Sequence, residues 1–433
     1  MAMDGKELVE KLAKLSQVQS IKDIPQLTHA LFPGTHCPLM GAAMAVGGIK
    51  DSLIVVVGTD ECTYYTKSMT IHSEKFGGID GRCVSVVLDD HDVTFGSAEK
   101  VQEAFKEIIE EYRPQCVFLV TTCVIEIIGD DFDAISEGLS KLYGIPVLPV
   151  HTEHFKCEDH LPGLERTITV CAEMMKSCDC ENSVNLLGQR MGDFATTELY
   201  AMLQKAGVKI GLQLPCGCSV DDIKNAAAAK VNIVVNDIAL PLAQKMQEKF
   251  GIPYVYFNKF VIPEKIYEAY KNLFGYLELE LPEELEGLYQ NAREEIEKNK
   301  GELEGITYIY GNTPYAVFEM NCFLSSLGMV PQVIQTNRYT EADEPYAKEI
   351  LQYTDPYVCK AANIAPLQYV YDVLSPYLYL GHEFGNRLRQ KGIAIVDSDR
   401  ASGMLGFEVT GYLLQQLVKS VREAKEYRKE LGL

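Results

Sequence analysis

Positive charge is scarce in this chain of 433 residues, in which 40 Lys and Arg stand against 61 Asp and Glu, giving a formal net charge of −21. Nucleic acids and anionic membrane surfaces attract proteins through clustered basic residues. The charge balance therefore argues against both as partners, while leaving room for a local basic patch. We expect neither a nucleic-acid nor a membrane partner.

Long apolar runs are also missing. The longest weakly polar run near the start, Leu39–Ile49, has 11 residues, whereas a membrane-spanning helix needs about 20. The first 15 residues mix charges through a helical pattern and lack the apolar stretch of a secretory signal. We therefore expect a cytoplasmic protein.

Phosphate-binding loops are a third absence. The sequence contains neither GxxxxGK followed by Ser or Thr nor GxGxxG. Those patterns place backbone N–H groups around the phosphates of nucleotides. We therefore expect no nucleotide to bind to this chain itself.

Cysteine, by contrast, is plentiful, with 13 residues and no compact CxxC run. In a reducing compartment such residues are buried hydrophobes, metal ligands or redox groups rather than disulfides. The count alone does not choose among these roles.

Short β-rich apolar runs alternate with helical patterns, which is typical of repeated βαβ units with parallel sheets. The sequence predicts an α/β fold of three consecutive Rossmann-like domains with mostly parallel sheets. We divide it into residues 1–182, residues 183–300 including an acidic helical connector, and residues 301–433. The predicted strands are Leu53–Val57, Val84–Leu88, Cys116–Val120, Pro146–Val150, Val184–Leu187, Lys209–Leu214, Val231–Val235, Pro253–Phe257, Thr307–Tyr310, Pro331–Gln335, Tyr377–Leu380 and Ile393–Val396.

Three cysteines of the first unit suit a ligand-binding edge. Cys62 follows the first predicted strand, Cys123 follows the third, and Cys37 precedes a Gly/Ala-rich helix. Ligands of open α/β sheets gather at the carboxyl ends of strands, and helix N-termini stabilise thiolates there. Such thiolates favour an iron–sulfur cluster, although free cysteine is also among the most buried residue types.

Motifs along most of the chain resemble those of the nitrogenase component 1 family. In order they are "CPLMGA", "GTDEC", "DVTFGS", "TTCVIEIIGDD", "GIPVLPVHTEHF", "NLLG", "EKFGIPYVYFN" and "GFEVTGYLL". The resemblance covers about residues 30–420, and "TTCVIEIIGDD" with the ordered cysteine triplet is its most specific part.

The resemblance implies three Rossmann-like domains and pairing with a homologous or identical component 1 subunit, as a dimer or tetramer. It implies that Cys37, Cys62 and Cys123 bind an iron–sulfur cluster at the subunit interface, either 4Fe–4S or larger and P-cluster-like. Three thiolates leave one iron of a cube unfilled, so a partner ligand or a shared larger cluster is needed. It also implies a separate ATP-hydrolysing iron protein that delivers electrons.

Two positions depart from the family pattern. Ala243 stands where the catalytic nitrogenase subunit has a cysteine ligand of its iron–molybdenum cofactor, and the late histidine ligand aligns near Asp397. These departures exclude the role of molybdenum-nitrogenase catalytic subunit.

Other candidate ligands lie near the implied cavity. "HTEHFKCEDH" spaces His151, His154, Cys157 and His160 three apart, and "QLPCGCSVDDI" contains Cys216 and Cys218. On a regular helix, four side chains spaced three residues apart would fan over roughly 180°. All four could therefore bind one ion only if this segment were a loop. We hypothesise a second iron-containing cofactor held by some of Cys157, Cys216, Cys218 and His160, against unligated cavity-lining side chains.

The remaining cysteines divide into two groups. Cys178 and Cys180 lie at the first domain boundary, where we expect a structural role or a metal. Outside the cysteines, His382 ends a strand of the third unit. Its side chain either faces the cleft or serves as a capping or packing histidine. The five cysteines predicted to be core are Cys83, Cys116, Cys171, Cys322 and Cys359.

We conclude from the sequence that the chain is an oxidoreductase component, the iron–sulfur subunit of a nitrogenase-like ATP-dependent two-component reductase. Its candidate general acids are His154, His160 and Asp397. The alternatives are a metallocluster assembly scaffold and a cluster-free structural subunit. The substrate stays open among tetrapyrroles, small unsaturated molecules and compounds with carbon–sulfur bonds, because fold is a poor guide to substrate.

Overall fold

Three mostly parallel β-sheets flanked by helices, with one short two-stranded sheet between the first two, form the described part of the chain. The structure is a computed structural model that describes residues 4–27, 36–71, 81–157, 159–190, 192–258, 260–311, 313, 315–360 and 364–433. The strands are β1 (Ala13–Lys14), β2 (Ile49–Lys50), β3 (Ser52–Gly58), β4 (Cys83–Val87), β5 (Cys116–Thr121), β6 (Val147–Val150), β7 (Glu181–Gln189), β8 (Lys209–Pro215), β9 (Cys218–Ser219), β10 (Ala229–Val234), β11 (Tyr254–Tyr256), β12 (Thr307–Tyr310), β13 (Val330–Gln335), β14 (Tyr357–Cys359), β15 (Leu378–Leu380) and β16 (Ala394–Val396).

Helices connect most of these strands. They are α1 (Gly5–Glu10), α2 (Pro38–Gly47), α3 (Asp60–Ile71), α4 (Asp90–Phe95), α5 (Ala98–Tyr112), α6 (Cys123–Ile128), α7 (Phe132–Tyr143), α8 (Leu161–Val170), α9 (Glu198–Lys205), α10 (Val220–Lys224), α11 (Leu240–Phe250), α12 (Pro263–Leu277), α13 (Leu285–Leu303), α14 (Val317–Ser326), α15 (Glu344–Ile350), α16 (Ile364–Leu374), α17 (Gly385–Arg389) and α18 (Glu408–Leu431). Within the described ranges, no helix combines the length and apolar character that crossing a membrane would require.

The first sheet has the strand order β4-β3-β5-β6, and all its pairings are parallel. Its central strands β3 and β5 are buried along their whole length. Runs of Val, Ile, Leu and Phe favour this arrangement, because helices cover both faces of a parallel sheet. The carboxyl ends of these strands therefore meet at one edge of the sheet.

The second sheet, β11-β10-β7-β8, is also parallel. It is tied to the first unit by the short parallel pair β2 and β9, in which Ile49 aligns with Cys218. Apolar side chains of both units share one core cluster, which includes Phe118 and Leu214. The first two units thus pack as neighbours through a continuous core.

The third sheet has the order β1-β14-β13-β12-β15-β16 and is parallel except at β1, which runs antiparallel to β14. Leu8 and Leu15 are buried in the cores of this third unit. Residues 4–27 therefore lie on the third unit rather than on the first, which differs from the predicted division at residue 182. The short strand β1 carries little periodicity, so no pattern in the sequence predicts that residues 4–27 pack on the third unit.

The acidic connector is helical, as expected: α13 packs against α12 of the second unit and α18 of the third. The fold class predicted from the sequence is confirmed, and the twelve predicted strands coincide with observed ones within a few residues. Strand β14 was missed, because Tyr357–Cys359 is a short run after a Pro-containing turn.

Candidate functional site

Three cysteines occupy equivalent positions at one edge of the first sheet, and we call this group the thiol edge. Cys37 is the N-cap of α2, Cys62 lies in the first turn of α3, and Cys123 is the first residue of α6. All three are half-buried free thiols. A helix N-terminus carries partial positive charge from its unpaired N–H groups, which favours a thiolate.

The three thiols of the thiol edge lie within electrostatic range of one another. Burial raises the pKa of Cys62, and the charges of Cys123 and Cys37 raise it further. The Thr59 hydroxyl donates to its Sγ at 3.6 Å and acts in the opposite direction on that pKa. A bound cation beside Cys62 would favour its thiolate, which is the form that binds metals.

The position of Cys37 depends on a close helix crossing. A Cβ at Gly41 in α2 would lie 1.9 Å from the carbonyl oxygen of His160, and one at Gly163 in α8 would lie 1.8 Å from that of Pro38. Only glycine allows the two backbones to touch in this way. The crossing brings the N-termini of α2 and α8 together, and the rings of His36 and His160 stand 6.4 Å apart, edge to face.

Glu126 ties the loop after β6 to the helix that carries Cys123. Its carboxylate accepts hydrogen bonds from the hydroxyls of Thr121 (2.9 Å) and Thr152 (3.0 Å). It also accepts from the backbone N–H groups of Glu153 (2.5 Å) and His154 (3.2 Å). Such charge-assisted bonds hold a loop in one conformation.

Large apolar side chains are exposed beside the thiol edge. They lie on α3, α4, α6 and the turn after β6, and we call them the apolar rim. Its members are Tyr64, Tyr65, Phe95, Ile127 and Phe155, between 68% and 75% exposed. An exposed patch of this kind marks an interaction surface.

The thiol edge fits a cluster better than a single ion. Within the part of the chain that the structure describes, no three His, Cys, Asp or Glu side chains are close enough to hold one metal ion. Cluster thiolates bind different irons and therefore stand further apart than ligands of one ion. Three half-exposed thiols at helix N-termini match that requirement.

A second group of side chains lies where loops from all three units converge, and we call it the cleft. Arg190 follows β7, Cys216 follows β8, and His160 begins α8. The Cys216 thiol donates to the carbonyl oxygen of Arg190 at 3.3 Å. Burial, together with the charge of Arg190, lowers the pKa of His160 to about 4. His160 is therefore neutral at pH 7.

Charged residues of the second and third units meet across the cleft. Arg338 follows β13, and its Nη1 lies 3.6 Å from Oδ2 of Asp237. Both residues act electrostatically on Arg190, as does Asp159. Arg190 itself is half-buried, and its Nε is fully buried with no hydrogen-bond partner.

A buried acid lies on the third unit's side of the cleft. Glu319, in the first turn of α14, is 6% exposed, and its Oε1 has no hydrogen-bond partner. Burial raises the pKa of Glu319 to about 7, an effect that Lys265 partly offsets. The charges of Asp237 and Glu319 both act on the half-buried Tyr256, which locates the acid beside the cleft.

The predicted second metal site is only partly assembled. Cys216 faces the cleft, but Cys218 is 1% exposed in the apolar core, where burial raises its pKa to about 12. Cys157 lies 3.6 Å from the carbonyl oxygen of Thr152 and 3.8 Å from Nη1 of Arg166. The three cysteines thus have different surroundings rather than one pocket.

The other candidates are spread over the surface. His154 is exposed in a short 3-10 turn, so it does not continue a regular helix toward His160. Asp397 is exposed after β16 and accepts from the N–H of Asp399 at 3.3 Å. His382 pairs with the same Asp399 at 3.3 Å.

The remaining cysteines lie largely as expected. Cys178 donates to the carbonyl oxygen of Lys176 at 3.2 Å, and Cys180 is exposed. The five predicted core cysteines are buried: Cys83, Cys116, Cys171, Cys322 and Cys359.

Sequence reasoning missed Arg190, Arg338 and Glu319. Arg190 and Arg338 each come within three residues of a strand's carboxyl end, which is a usable signal. Glu319 has no such signal, because its burial depends on how α14 packs between the second and third units.

Comparison with known proteins agrees with this geometry. The chain is 30% identical to the nitrogenase iron-molybdenum cofactor biosynthesis protein NifE of Clostridium pasteurianum over 224 residues, 51% of this chain and 49% of that protein. It is 24% identical to the nitrogenase molybdenum-iron protein alpha chain of Methanosarcina barkeri over 330 residues, 72% of this chain and 62% of that one. The alignments thus span about half to two thirds of these relatives.

The fold has a close match among solved structures. The structure titled "Nitrogenase Cp1 at pH 6.5" superposes with a TM-score of 0.76, covering 94% of this chain and 96% of that one at 14% identity. The nitrogenase component 1 type oxidoreductase family matches residues 37–422, from the first cysteine of the thiol edge to the last helix. The chain therefore belongs to the nitrogenase component 1 type oxidoreductase family.

Proposed function

We propose that this chain is the iron–sulfur subunit of a nitrogenase-like, ATP-dependent two-component reductase of the cytoplasm. In this proposal an ATP-hydrolysing iron protein supplies electrons to a cluster on Cys37, Cys62 and Cys123. The electrons then pass to a cofactor or substrate in the cleft. The observation that carries the proposal is the meeting of three half-buried thiols at three helix N-termini on one sheet edge.

The thiol edge is half of a site. Three thiolates leave one iron of a 4Fe–4S cube without a protein ligand, and a larger P-cluster-like group needs more ligands still. The exposed apolar rim surrounds this incomplete set. A homologous or identical component 1 subunit would cover the rim and supply what is missing. A bound iron–sulfur cluster would contribute one-electron transfer at low potential.

The chain's own residues connect the two regions. Cys37 is preceded by His36, whose ring packs edge to face against His160 at the cleft. The contact depends on the Gly41–Gly163 crossing, so the thiol edge and the cleft share one rigid element. A short path through packed atoms favours electron transfer between them.

Buried side chains are the main candidates for donating protons in the cleft. Glu319 keeps its proton up to about pH 7, which suits a general acid. His160 accepts a proton only at low pH but can donate a hydrogen bond from its neutral ring. His154 and Asp397, the other candidate acids, are exposed and would act only if a ligand or partner enclosed them.

For a second iron-containing group in the cleft, we propose Cys216 as the thiolate ligand, since it alone of the three candidate cysteines borders Arg190. Cys157, Cys218 and His160 would join only after rearrangement. Replacing Cys216 with Ser should lower the iron content of the anaerobic protein if this is right. Unchanged iron content in C216S would contradict a second iron-containing group in the cleft. Cys218→Ser is the matched control.

The reductase proposal predicts ATP-dependent electron transfer. The anaerobic complex should be reduced by an iron protein of a two-component system with ATP, and not with a non-hydrolysable analogue. The visible absorption of the complex would report the reduction. If no reduction occurs with ATP while the cluster is present, the proposed electron route is wrong.

A second candidate function is an assembly scaffold for a metallocluster. It is favoured by the likeness to NifE proteins, whose names describe cofactor biosynthesis. It is also favoured by Ala243, which is fully buried where a cofactor-binding cysteine would stand. A scaffold should release its cluster to an acceptor protein, whereas a reductase should form product without one. A turnover assay with candidate tetrapyrroles and small unsaturated molecules, with no acceptor present, separates the two.

A further inference from the structure

Arg190 places a guanidinium in the cleft, directly after β7. Among the residues that the structure describes, no carboxylate lies within ion-pairing distance of its guanidinium, and its Nε is buried without a hydrogen-bond partner. A guanidinium has five N–H donors in a planar fork. Leaving such a group enclosed and unpaired is unfavourable, so a protein that keeps it there usually uses it for a ligand.

The acidic neighbours of Arg190 are already engaged. Asp237 pairs with Arg338 at 3.6 Å, and its Oδ1 accepts from the N–H of Ile238 at 3.1 Å. Asp159 accepts from the N–H of Leu161 at 2.9 Å, at the start of α8. Both carboxylates offset the charge of Arg190 through space, but neither forms an ion pair with it.

The third neighbour is the Cys216 thiol, which donates to the backbone of Arg190 rather than to its side chain. Burial raises the pKa of the Cys216 thiol, and the nearby charge of Arg190 lowers it. Beside it, Gly217 has a φ of +86°, and a Cβ there would meet nothing within 4 Å. Open space therefore borders the turn that carries Cys216.

Two further acids lie across the cleft. Burial raises the pKa of both Glu165 and Asp343, and the charge of Arg338 lowers it. Both act on Arg338 rather than directly on Arg190. Within the described part of the chain, Arg190 therefore has carboxylates near it but none paired with it.

We infer that Arg190 is an oxyanion-binding residue of the cleft, holding a carboxylate or phosphate group of the bound substrate or cofactor, with Arg338 as the flanking cation. The planar fork matches two oxygens of either group. This rests on the proposed function in placing a ligand in the cleft, and it narrows that ligand to one with an anionic group. Tetrapyrroles with carboxylate side chains satisfy the condition, and uncharged small molecules do not.

The test is binding of two simple probes, succinate and inorganic phosphate, to the anaerobically purified full chain at constant ionic strength. Calorimetry should show saturable binding of at least one probe to the wild type. Arg190→Met should weaken it at least tenfold, while Arg387→Met, which removes an exposed arginine of α17, should leave it unchanged. Tighter succinate points to a carboxylate ligand, and tighter phosphate to a phosphorylated one.

Thermal unfolding without probe provides an independent readout. Removing an unpaired, enclosed charge should raise the Tm of R190M above that of the wild type. A lower Tm, equal probe binding by R190M, or no saturable binding to the wild type would overturn the inference. The experiment needs neither iron protein nor ATP, so failed electron transfer with intact probe binding would sink only the proposed function.

Discussion

The thiol edge and the cleft both lie at the carboxyl ends of parallel strands, yet they differ in how they are completed. The thiol edge has three like groups, of which Cys37 and Cys123 act electrostatically on Cys62, and it lies beside the exposed apolar rim. The cleft has mixed charges from three units, including an ion pair that joins the second and third. One region therefore calls for another protein subunit, and the other calls for a small ligand.

The difference teaches how one fold supports two kinds of site. Helix N-termini that meet at the edge of a single sheet give repeated chemistry, here three thiols. Loops that converge from separate units give varied chemistry, since each contributes a different side chain. Variation of substrate within such a fold is then expected in the cleft, while the thiol edge stays the same.

The largest effect should come from breaking the element that the two regions share. Gly163→Ala would place a Cβ 1.8 Å from the Pro38 carbonyl oxygen, which we expect to cost about 3 kcal/mol of unfolding free energy. The displaced α2 and α8 should lower both iron content and oxyanion binding. Chemical denaturation measures the first effect, and iron assay and calorimetry the other two.

The matched control is Gly138→Ala in α7, where a Cβ would meet nothing within 4 Å. There we expect a gain of about 0.5–1 kcal/mol, because alanine favours the helix interior. If G163A is as stable as the wild type and keeps both ligands, the crossing does not couple the two regions.

The next effect concerns the buried acid of the cleft. The pKa of Glu319 is about 7 in the folded protein and 4.5 in an unperturbed chain. Between those values the unfolded state releases the proton and the folded state keeps it, so wild-type stability falls as pH rises from about 4.5 to 7. Glu319→Gln does not titrate and should gain up to about 3 kcal/mol relative to the wild type by pH 8.

Chemical denaturation of the wild type and E319Q at pH 5 and pH 8 measures this difference in unfolding free energy, which we call the gap. The exposed Glu341→Gln serves as the control and should show the same small difference at both pH values. A gap for E319Q that does not widen toward pH 8 would mean that Glu319 is already ionised in the folded state.

The smallest effect tests the apolar rim. Ile127 lies one turn after Cys123 on α6 and is 72% exposed, while Leu142 on α7 is 71% exposed near the opposite edge of the sheet. Ile127→Glu should weaken association with the partner subunit about tenfold, or about 1.4 kcal/mol. Leu142→Glu should not, as sedimentation of the co-purified complex would report. Equal weakening by both variants would show that the apolar rim is not part of the subunit interface.

Sequence information was sufficient where chemistry and local pattern coincide. Cys37, Cys62 and Cys123 each stand at a junction between a strand or turn and a helix, so their placement followed from periodicity and capping rules. Cys216 and Cys218 are two positions apart in a turn, yet Cys216 is half-buried and Cys218 is buried. The residue type alone does not predict this difference.

The rest of the cleft depended on packing between distant segments. Arg190 and Arg338 are 148 positions apart in the sequence. Their side chains come near each other only when the second and third units pack together. The return of β1 to the third sheet has the same character, since two residues pair with a strand more than 300 positions later. Such long-range pairings produce almost no periodic pattern of residues in a single sequence.

The central claim is that Cys37, Cys62 and Cys123 bind an iron–sulfur cluster shared with a second subunit. Iron content and broad visible absorption of the anaerobically purified complex test it most directly, in the wild type, Cys62→Ser and the exposed control Cys180→Ser. The account predicts that C62S loses the absorption and the corresponding iron while C180S keeps both. Wild-type iron and absorption in C62S would contradict it.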